Sequence, residues 1–267
     1  MKLRAVIFDW AGTLVDFGSR APVTALQSVF VEAGVPVNAA EVRESMGLAK
    51  KEHIRSILEI PRVRAAWGEK CGAAPSRNDV ERLYGRFIPS QIRALEDHSR
   101  LIPGVADAVG RMRSRGLKIG TTTGYNRAML EYLLKRAKEQ DFAPDAAICP
   151  DDVPAGRPFP WMCYLTAIRL EVYPMPAIVK IGDTPADIEE GRNAGMWTIG
   201  VTRTGNEVGV TEEEWAGLSK AEQDALLKNA ARRLLDAGAH YVSGSGAECD
   251  GILQDIEERL HRGERPQ

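Results

Sequence analysis

Short apolar runs alternate with segments of helical periodicity over most of the chain. The first run, residues 3–8, is partly β-branched and ends at Asp9, which is typical of a strand buried on both faces. Comparable runs follow at residues 117–122, 146–149, 177–181 and 197–201, and a last edge strand is expected at residues 239–242. Helical spacing occupies residues 104–115, 127–140, 161–170 and 187–194. This alternation predicts an α/β fold whose parallel sheet carries helices on both faces.

Residues 19–98 interrupt the alternation, because their apolar spacing is helical and no strand is evident. Helices are expected at residues 24–33, 50–58 and 79–96, the last one interrupted or bent near Pro89. Asn38 followed by Glu41 has the pattern of a capping box and marks the start of another helix. We therefore expect a discontinuous core domain, residues 1–18 and 99–267, with an all-helical cap domain inserted at residues 19–98.

The composition excludes several classes of function. Lys+Arg total 35 against Asp+Glu 37, a formal net charge of −2, so no general attraction to nucleic acid or to an anionic membrane is expected. No apolar run has the length of a membrane span, and the N-terminal run is too short for a signal peptide. The 4 cysteines lie far apart without a Cys-x-x-Cys pair, which indicates buried free thiols in a reducing cytoplasm. We therefore expect a cytoplasmic enzyme or binding protein.

Residues with chemical potential follow the predicted strands at their carboxyl ends. Asp9 follows the first strand, Thr122, Thr123 and Gly124 end another, and Asp183 follows a third, with Asp187 close behind. Ligands of parallel α/β folds bind beyond this edge of the sheet. Carboxylates gathered there repel one another unless a hard divalent cation neutralises them, and Mg²⁺ is the expected ion. Because Mg²⁺ commonly binds one or two carboxylates together with a substrate phosphate, the pattern indicates phosphoryl chemistry.

The order of these motifs resembles the haloacid dehalogenase superfamily, whose aspartyl nucleophile attacks phosphorus. The resemblance rests on Asp9-Trp10-Ala11-Gly12-Thr13, on the strand end at Thr123 and on Gly182-Asp183-Thr184-Pro185-Ala186-Asp187. It implies a Rossmann-like core, with residues 19–98 in the position of the helical cap. Carried over by position, it implies that Asp9 is the nucleophile and a metal ligand.

The same resemblance implies roles for the other strand-end residues. The backbone carbonyl of Ala11 and the carboxylate of Asp183 are the further ligands of Mg²⁺, and Asp187 supports them. The phosphoryl oxygens are held by Thr123 and Gly124, with Thr122 as the competing assignment for the hydroxyl. The basic residue of the third motif is Arg157, in Ala155-Gly156-Arg157-Pro158.

Residue 11 departs from the pattern of the superfamily's phosphatases and mutases. These enzymes usually place a second aspartate there as a general acid for the leaving group, whereas this chain has Ala11. Without that acid, hydrolysis of an ordinary phosphate monoester loses roughly 10²–10⁴-fold in rate. Either the chain is a poor phosphatase, or its leaving group does not need the acid.

The segment Met46-Gly47-Leu48-Ala49-Lys50 resembles the phosphonoacetaldehyde hydrolases, a family within that superfamily. The resemblance extends from residue 5 to about residue 216 and implies that Lys50, not Lys51, forms a Schiff base with the substrate aldehyde. A protonated imine accepts the electrons of the breaking C–P bond, so an enamine leaves without help from an acid at position 11. The implied reaction converts phosphonoacetaldehyde to acetaldehyde and phosphate through an aspartyl-phosphate intermediate.

The sequence leaves alternative roles open for two other residues of the predicted site, His53 and Tyr125. His53 shares a helix face with Lys50, where it either relays protons or is a satisfied polar helix residue. Met46 and the backbone of Gly47 are expected to line the same pocket, and Tyr125 either forms its wall or packs in the core. The resemblance also implies a homodimer formed through the cap helices.

Two other classes of function compete with this interpretation. The first is a phosphatase or a dehalogenase of the same superfamily, although a dehalogenase has no need of Mg²⁺ and so does not explain Asp183 and Asp187. The second is a non-catalytic protein that binds a metal or phosphate, which does not explain Asp9 and Lys50 together.

Overall fold

A parallel six-stranded sheet in the order β3-β2-β1-β4-β5-β6 forms the centre of the protein. The computed structural model describes residues 1–266, so Gln267, the last residue of the predicted core domain, lies outside the described residues. The strands are β1 (Ala5–Phe8), β2 (Lys118–Thr122), β3 (Ala146–Ile148), β4 (Ile178–Gly182), β5 (Trp197–Val201) and β6 (Tyr241–Ser243). The predicted parallel sheet is confirmed, and the predicted edge strand is present slightly later in the chain, as β6.

Helices cover both faces of this sheet, as the alternating pattern predicts. The helices that the alternation predicts are α6 (Val105–Ser114), α7 (Arg127–Lys138), α8 (Trp161–Leu170) and α9 (Pro185–Asn193). They are followed by α10 (Glu212–Gly217), α11 (Lys220–Asp236) and α12 (Asp250–His261), of which α12 is missing from the sequence-based prediction. Val6 and Phe8 of β1 pack in one apolar cluster with residues of α6 and α12. Ala5 and Ile7 point the other way, into a second cluster with residues of α8. Since both faces of β1 are buried, its sequence is an uninterrupted apolar run.

The inserted segment is helical, as predicted. Its elements are α1 (Ala21–Glu32), α2 (Ala39–Arg43), α3 (Lys50–Glu59), α4 (Pro61–Cys71) and α5 (Arg77–His98). The capping box is confirmed, since the Asn38 side chain accepts a hydrogen bond from the backbone N–H of Glu41. Helix α5 contains Pro89 and continues through it without interruption.

Helix α4 is missing from the sequence-based prediction. It buries only Val63 and Trp67, so its apolar periodicity is too sparse to stand out. Its boundaries nevertheless carry ordinary signals, with Pro61 in the first turn and Gly72 in the left-handed conformation that ends the helix.

The two segments that join the cap helices to the sheet lie side by side. Val15 pairs in an antiparallel bridge with Leu101, and the N–H of Ile102 donates to the carbonyl of Leu14 at 2.9 Å. Each predicted domain boundary lies only a few residues from this pairing. The division into residues 1–18 with 99–267 and residues 19–98 itself stays a prediction.

The cysteines and the helices test two expectations from composition. All four cysteines are free, and three of them are buried, but Cys71 at the end of α4 is exposed, so the expectation of buried thiols is wrong there. Within residues 1–266, no helix combines the length and apolar character needed to cross a membrane.

The tight contact between β2 and α8 generates a stability prediction with a matched control. A Cβ on Gly120 would lie 2.4 Å from Cγ2 of Thr166, so we expect Gly120→Ala to lower the free energy of unfolding by about 1–3 kcal/mol. A Cβ on Gly110, exposed in α6, meets nothing within 4 Å, so Gly110→Ala is expected to raise it by about 0.4–1 kcal/mol. Urea unfolding measures both, and equal stabilities of the two variants would contradict this packing.

Candidate active site

A narrow cavity lies where the carboxyl edge of the sheet faces the cap helices. Its walls combine residues from the strand ends and the loops after them with residues from the starts of α1 and α3 and the segments before these helices. They are Asp9, Ala11, Ser19, Pro22, Met46, Gly47, Lys50, Thr123, Gly124, Tyr125, Arg157, Asp183 and Thr184. Of the residues predicted for the site, His53 and Asp187 are the ones that do not line it. Thus the structure brings together residues far apart in the sequence, as the strand-end argument requires.

The loop after β1, which follows Asp9, passes very close to the carboxylate of Asp183. Gly12 has φ +80°, and a Cβ at this position would lie 2.2 Å from Oδ2 of Asp183. Only glycine therefore lets this backbone pass so close to that carboxylate. Carboxylate oxygens of Asp9, Asp183 and Asp187 all lie within 4.8 Å of one another, with each residue buried.

Burial and mutual repulsion disfavour the ionised forms of two of these groups. Burial and the charge of Asp187 raise the pKa of Asp9, although Arg157 partly offsets the effect. Burial, Asp9 and Asp187 raise the pKa of Asp183 well above its ordinary value. A cation between Asp9 and Asp183 would relieve both effects, because an opposite charge favours the ionised form.

The three carboxylates differ in how freely they could bind a cation. Both oxygens of Asp187 are engaged, Oδ1 with Lys180 at 2.8 Å and Oδ2 with the Thr184 hydroxyl at 2.6 Å. Although burial opposes ionisation, Arg157 and Lys180 hold the pKa of Asp187 below its ordinary value. Asp9 and Asp183 are thus better placed to bind a cation, and an all-oxygen donor set suits a hard divalent ion.

Arg157, in the loop between β3 and α8, connects Asp9 to the loop before α3. Its Nη2 donates to Oδ1 of Asp9 at 2.7 Å, and its Nη1 donates to the carbonyl of Gly47 at 3.2 Å. On the far side, Nε donates to Oε2 of Glu190 at 3.0 Å. The guanidinium is therefore held on several sides, and the neighbouring carboxylates keep its pKa well above the ordinary value despite burial.

Lys180 and Glu190 belong to this ionic cluster, and the sequence analysis missed both. Nζ of Lys180 lies 2.8 Å from Asp187 and 3.4 Å from Glu190, and all three side chains are fully buried. The available signal was a lysine inside the apolar strand run at residues 177–181. A charged residue within a doubly buried strand requires buried partners of opposite charge.

The two threonines at the end of β2 have different surroundings. The Thr122 hydroxyl donates to Glu190 at 3.0 Å and accepts from Arg157 and Lys180, so it belongs to the ionic cluster beneath the cavity. Thr123 lines the cavity itself. The structure therefore separates the two residues that the sequence left as alternatives.

The following glycine allows the cap to approach the sheet. A Cβ on Gly124 would lie 2.4 Å from the carbonyl oxygen of Leu48. The backbone of the loop before α3 therefore packs directly on the loop after β2. This close approach brings Met46 and Gly47 into the wall of the cavity.

Lys50, the first residue of α3, points into the cavity. It is 4% exposed, and its Nζ lies 5.2 Å from the centre of the Tyr125 ring. Within residues 1–266 its amine makes no hydrogen bond or ion pair, and burial lowers its pKa to about 8. Lys51, by contrast, lies outside the cavity and forms an ion pair with Glu81 at 2.7 Å.

His53 is buried on the same helix but does not reach the cavity. Its Nε2 lies 2.7 Å from the carbonyl oxygen of Val42, and since a carbonyl only accepts, Nε2 carries the proton. Its Nδ1 has no hydrogen-bond partner among the described residues. Burial and the charge of Lys50 lower the pKa of His53 to about 3, so the ring is neutral. A relay role for His53 stays a prediction.

Comparison with known proteins gives a consistent result. The haloacid dehalogenase-like hydrolase family matches residues 3–195. A phosphonoacetaldehyde hydrolase of Syntrophobacter fumaroxidans is 47% identical over 99% of this chain and 95% of its own length. One from Hahella chejuensis is also 47% identical, over 99% of this chain and 90% of its own length.

A solved structure agrees in both fold and sequence. The crystal structure of a phosphonoacetaldehyde hydrolase like protein from Oleispira antarctica superposes with a TM-score of 0.98 at 44% identity. It covers 100% of this chain and 96% of that one. The chain therefore belongs to the haloacid dehalogenase-like hydrolases and, within them, to the phosphonoacetaldehyde hydrolase family.

Proposed function

We propose that this chain hydrolyses the C–P bond of phosphonoacetaldehyde to acetaldehyde and phosphate. The observation that carries the proposal is Lys50, a buried amine with a pKa of about 8 that shares one cavity with Asp9 and Arg157. A phosphatase has no use for such an amine, whereas C–P cleavage needs an electron sink. The names of the Syntrophobacter and Hahella relatives support the same substrate.

In the proposed mechanism, Lys50 prepares the substrate. Its neutral amine attacks the aldehyde carbon, and loss of water leaves a protonated imine whose carbon is adjacent to the carbon bound to phosphorus. The lowered pKa favours this step because only the unprotonated amine is a nucleophile. Our candidate for the proton relay during imine formation is His53, whose Nδ1 has no partner among residues 1–266 and can accept a hydrogen bond, although the lowered pKa keeps the ring neutral at rest.

Asp9 then performs the phosphoryl transfer. One carboxylate oxygen attacks phosphorus as the C–P bond breaks, and the bonding electrons move into the imine to give a neutral enamine. Arg157, already 2.7 Å from Asp9, stabilises the negative charge of the phosphoryl oxygens, which the Thr123 hydroxyl and the Gly124 N–H also hold. Water hydrolyses the aspartyl phosphate, and the enamine, protonated on carbon, releases acetaldehyde on hydrolysis and frees Lys50.

The metal that we propose for this site is Mg²⁺, held by Asp9, Asp183 and the backbone carbonyl of Ala11. The carboxylate donors and the raised pKa of Asp183 support a hard cation there. Mg²⁺ would supply positive charge to the phosphoryl oxygens. Asp187 would keep the cluster oriented through Lys180 and Thr184.

The absence of an acid at residue 11 is consistent with this chemistry. The Ala11 side chain lines the cavity but donates no proton, and a neutral enamine leaves without one.

The assembly that we propose is a homodimer formed through the cap helices. The protein is proposed to bind a small phosphonate substrate rather than nucleic acid or a membrane. The compartment that we propose is the cytoplasm, which the free cysteines support.

The nucleophile is tested by Asp9→Asn. We expect the variant to fold and to lose activity by roughly a thousandfold or more, because an amide oxygen is a poor nucleophile. Asp141→Asn is the matched control, since Asp141 is exposed and asparagine tolerates its positive φ. Release of phosphate and acetaldehyde is measured together. Near-normal activity of Asp9→Asn, with mass spectrometry excluding reversion to the acid, would refute the assignment.

Imine formation is tested by borohydride trapping. Borohydride added with acetaldehyde is expected to attach a two-carbon group to Lys50 and not to Lys51, because only Lys50 faces the cavity. Lys50→Arg keeps the charge but is expected to lose C–P cleavage, whereas Lys51→Arg stays close to wild type. Peptide mapping identifies the labelled lysine. Labelling of Lys51, or an active Lys50→Arg variant, would return the chain to the phosphatases.

The pH dependence of the reaction tests the state of Lys50. Because burial lowers its pKa to about 8, the neutral amine predominates above that value and is depleted below it. We expect kcat/KM to rise with pH up to about 8 and then level off, after correction for ionisation of the substrate. A profile without a break between about pH 7 and 9 would show that this amine does not control the reaction.

A further inference from the structure

Arg43, the last residue of α2, contacts the core through a set of backbone oxygens. Its Nη1 donates to the carbonyl of Gly18 at 3.0 Å and to Asn206 twice, to the side-chain oxygen at 2.9 Å and to the backbone carbonyl at 3.2 Å. Its Nη2 donates to the carbonyl of Gly209 at 2.9 Å. One guanidinium thus joins a cap helix, the segment before α1 and the loop after β5. These contacts use the fixed fork of arginine, which a lysine does not provide.

The loop after β5, to which Arg43 donates hydrogen bonds, also contacts the carboxylate of Asp183. The backbone N–H of Asn206 donates to Oδ2 of Asp183 at 2.8 Å. A Cβ on the neighbouring Gly205 would lie 2.6 Å from the Cβ of Asp183, so the loop packs directly on this side chain. A displacement of the loop would therefore change the orientation of Asp183.

The residue before Arg43 contacts α3, the helix that begins with Lys50. Val42, adjacent to Arg43, accepts the hydrogen bond from His53 through its carbonyl, and His53 shares α3 with Lys50. Consecutive residues of α2 therefore contact α3, which carries Lys50, and the loop after β5, which packs on Asp183. The two halves of the cavity are connected through the end of this short helix.

The guanidinium of Arg43 packs against Gly209, where no side chain is present. Gly209 has φ +68°, and a Cβ there would lie 2.7 Å from Cζ of Arg43. Arg20 donates to the same Gly209 carbonyl at 3.1 Å, but among the hydrogen bonds of residues 1–266 none joins it to Asn206. Arg20, which precedes α1, therefore provides a control, because it is an arginine that contacts the same loop without the connection to Asp183.

We propose that Arg43 is a positioning residue that orients Asp183 through Asn206, so that the cation site is fully formed only when α2 is seated on the loop after β5. This inference rests on the proposed function, in which Asp183 binds Mg²⁺. A purely structural role for Arg43 would lower thermal stability without changing the affinity of the folded protein for Mg²⁺.

Calorimetric titration of Mg²⁺ into the purified full chain tests the proposal without depending on turnover. We expect Arg43→Met to weaken Mg²⁺ binding about tenfold or more, the usual effect of removing a group that orients a ligand. Arg43→Lys is expected to resemble Arg43→Met, since one ammonium does not span the separate acceptors. Arg20→Met is expected to bind Mg²⁺ as the wild type does.

The outcomes separate this inference from the proposed function. Wild-type affinity in folded Arg43→Met, alongside a wild type that binds Mg²⁺ and releases acetaldehyde, would overturn the inference alone. A wild type that does not bind Mg²⁺ would overturn the inference and the proposed Mg²⁺ site, whereas a wild type that releases no acetaldehyde from phosphonoacetaldehyde would overturn the proposed function. If Arg43→Met fails to fold, Asn206→Ala decides, because it removes the side-chain acceptor at 2.9 Å, leaves the longer contact to the backbone carbonyl at 3.2 Å, and keeps the N–H that binds Asp183. The proposal requires a several-fold weaker affinity in that variant, and unchanged affinity would overturn it.

Discussion

The site depends on an ionic cluster buried beneath the carboxyl edge of the sheet. Arg157 and Lys180 lie among the carboxylates of Asp9, Asp187 and Glu190, at distances of 2.7–3.4 Å. Breaking one such buried pair costs about 3–5 kcal/mol, because it leaves an uncompensated charge. The cluster therefore holds Asp9 in one orientation, and the neighbouring Asp183 forms no ion pair within residues 1–266.

Close backbone contact between the cap helices and the sheet buries Lys50, and this burial lowers the pKa of its amine. Arg157 binds the carbonyl of Gly47, and the absence of a side chain on Gly124 admits the loop before α3. The Tyr125 hydroxyl accepts a hydrogen bond from Gln91 of α5 at 3.1 Å, which adds a further contact between the two parts. Lys50 is buried only because these contacts exist. Its lowered pKa is thus a property of the seated cap rather than of the lysine alone.

Several elements were predictable from local sequence because their causes are local. The strand at Ala5–Phe8 reads as apolar because both its faces are buried, and the Asn38 capping box is complete within four residues. Helix α4 escaped prediction because only Val63 and Trp67 mark its buried side. The exposed Cys71 shows the same limit, since burial of a thiol depends on what packs against it.

The sequence by itself determined which residues end the strands, and parallel pairing then brings Asp9, Thr123 and Asp183 to one edge. It also singled out Lys50 over Lys51 through the family resemblance. Only the tertiary structure decided that Thr122 belongs to the ionic cluster, that Lys180 meets Glu190, and that Arg43 reaches Asn206. Those contacts join separate elements of the fold. Their partners are set by how helices pack on the sheet, and no periodicity or spacing within one segment encodes that packing.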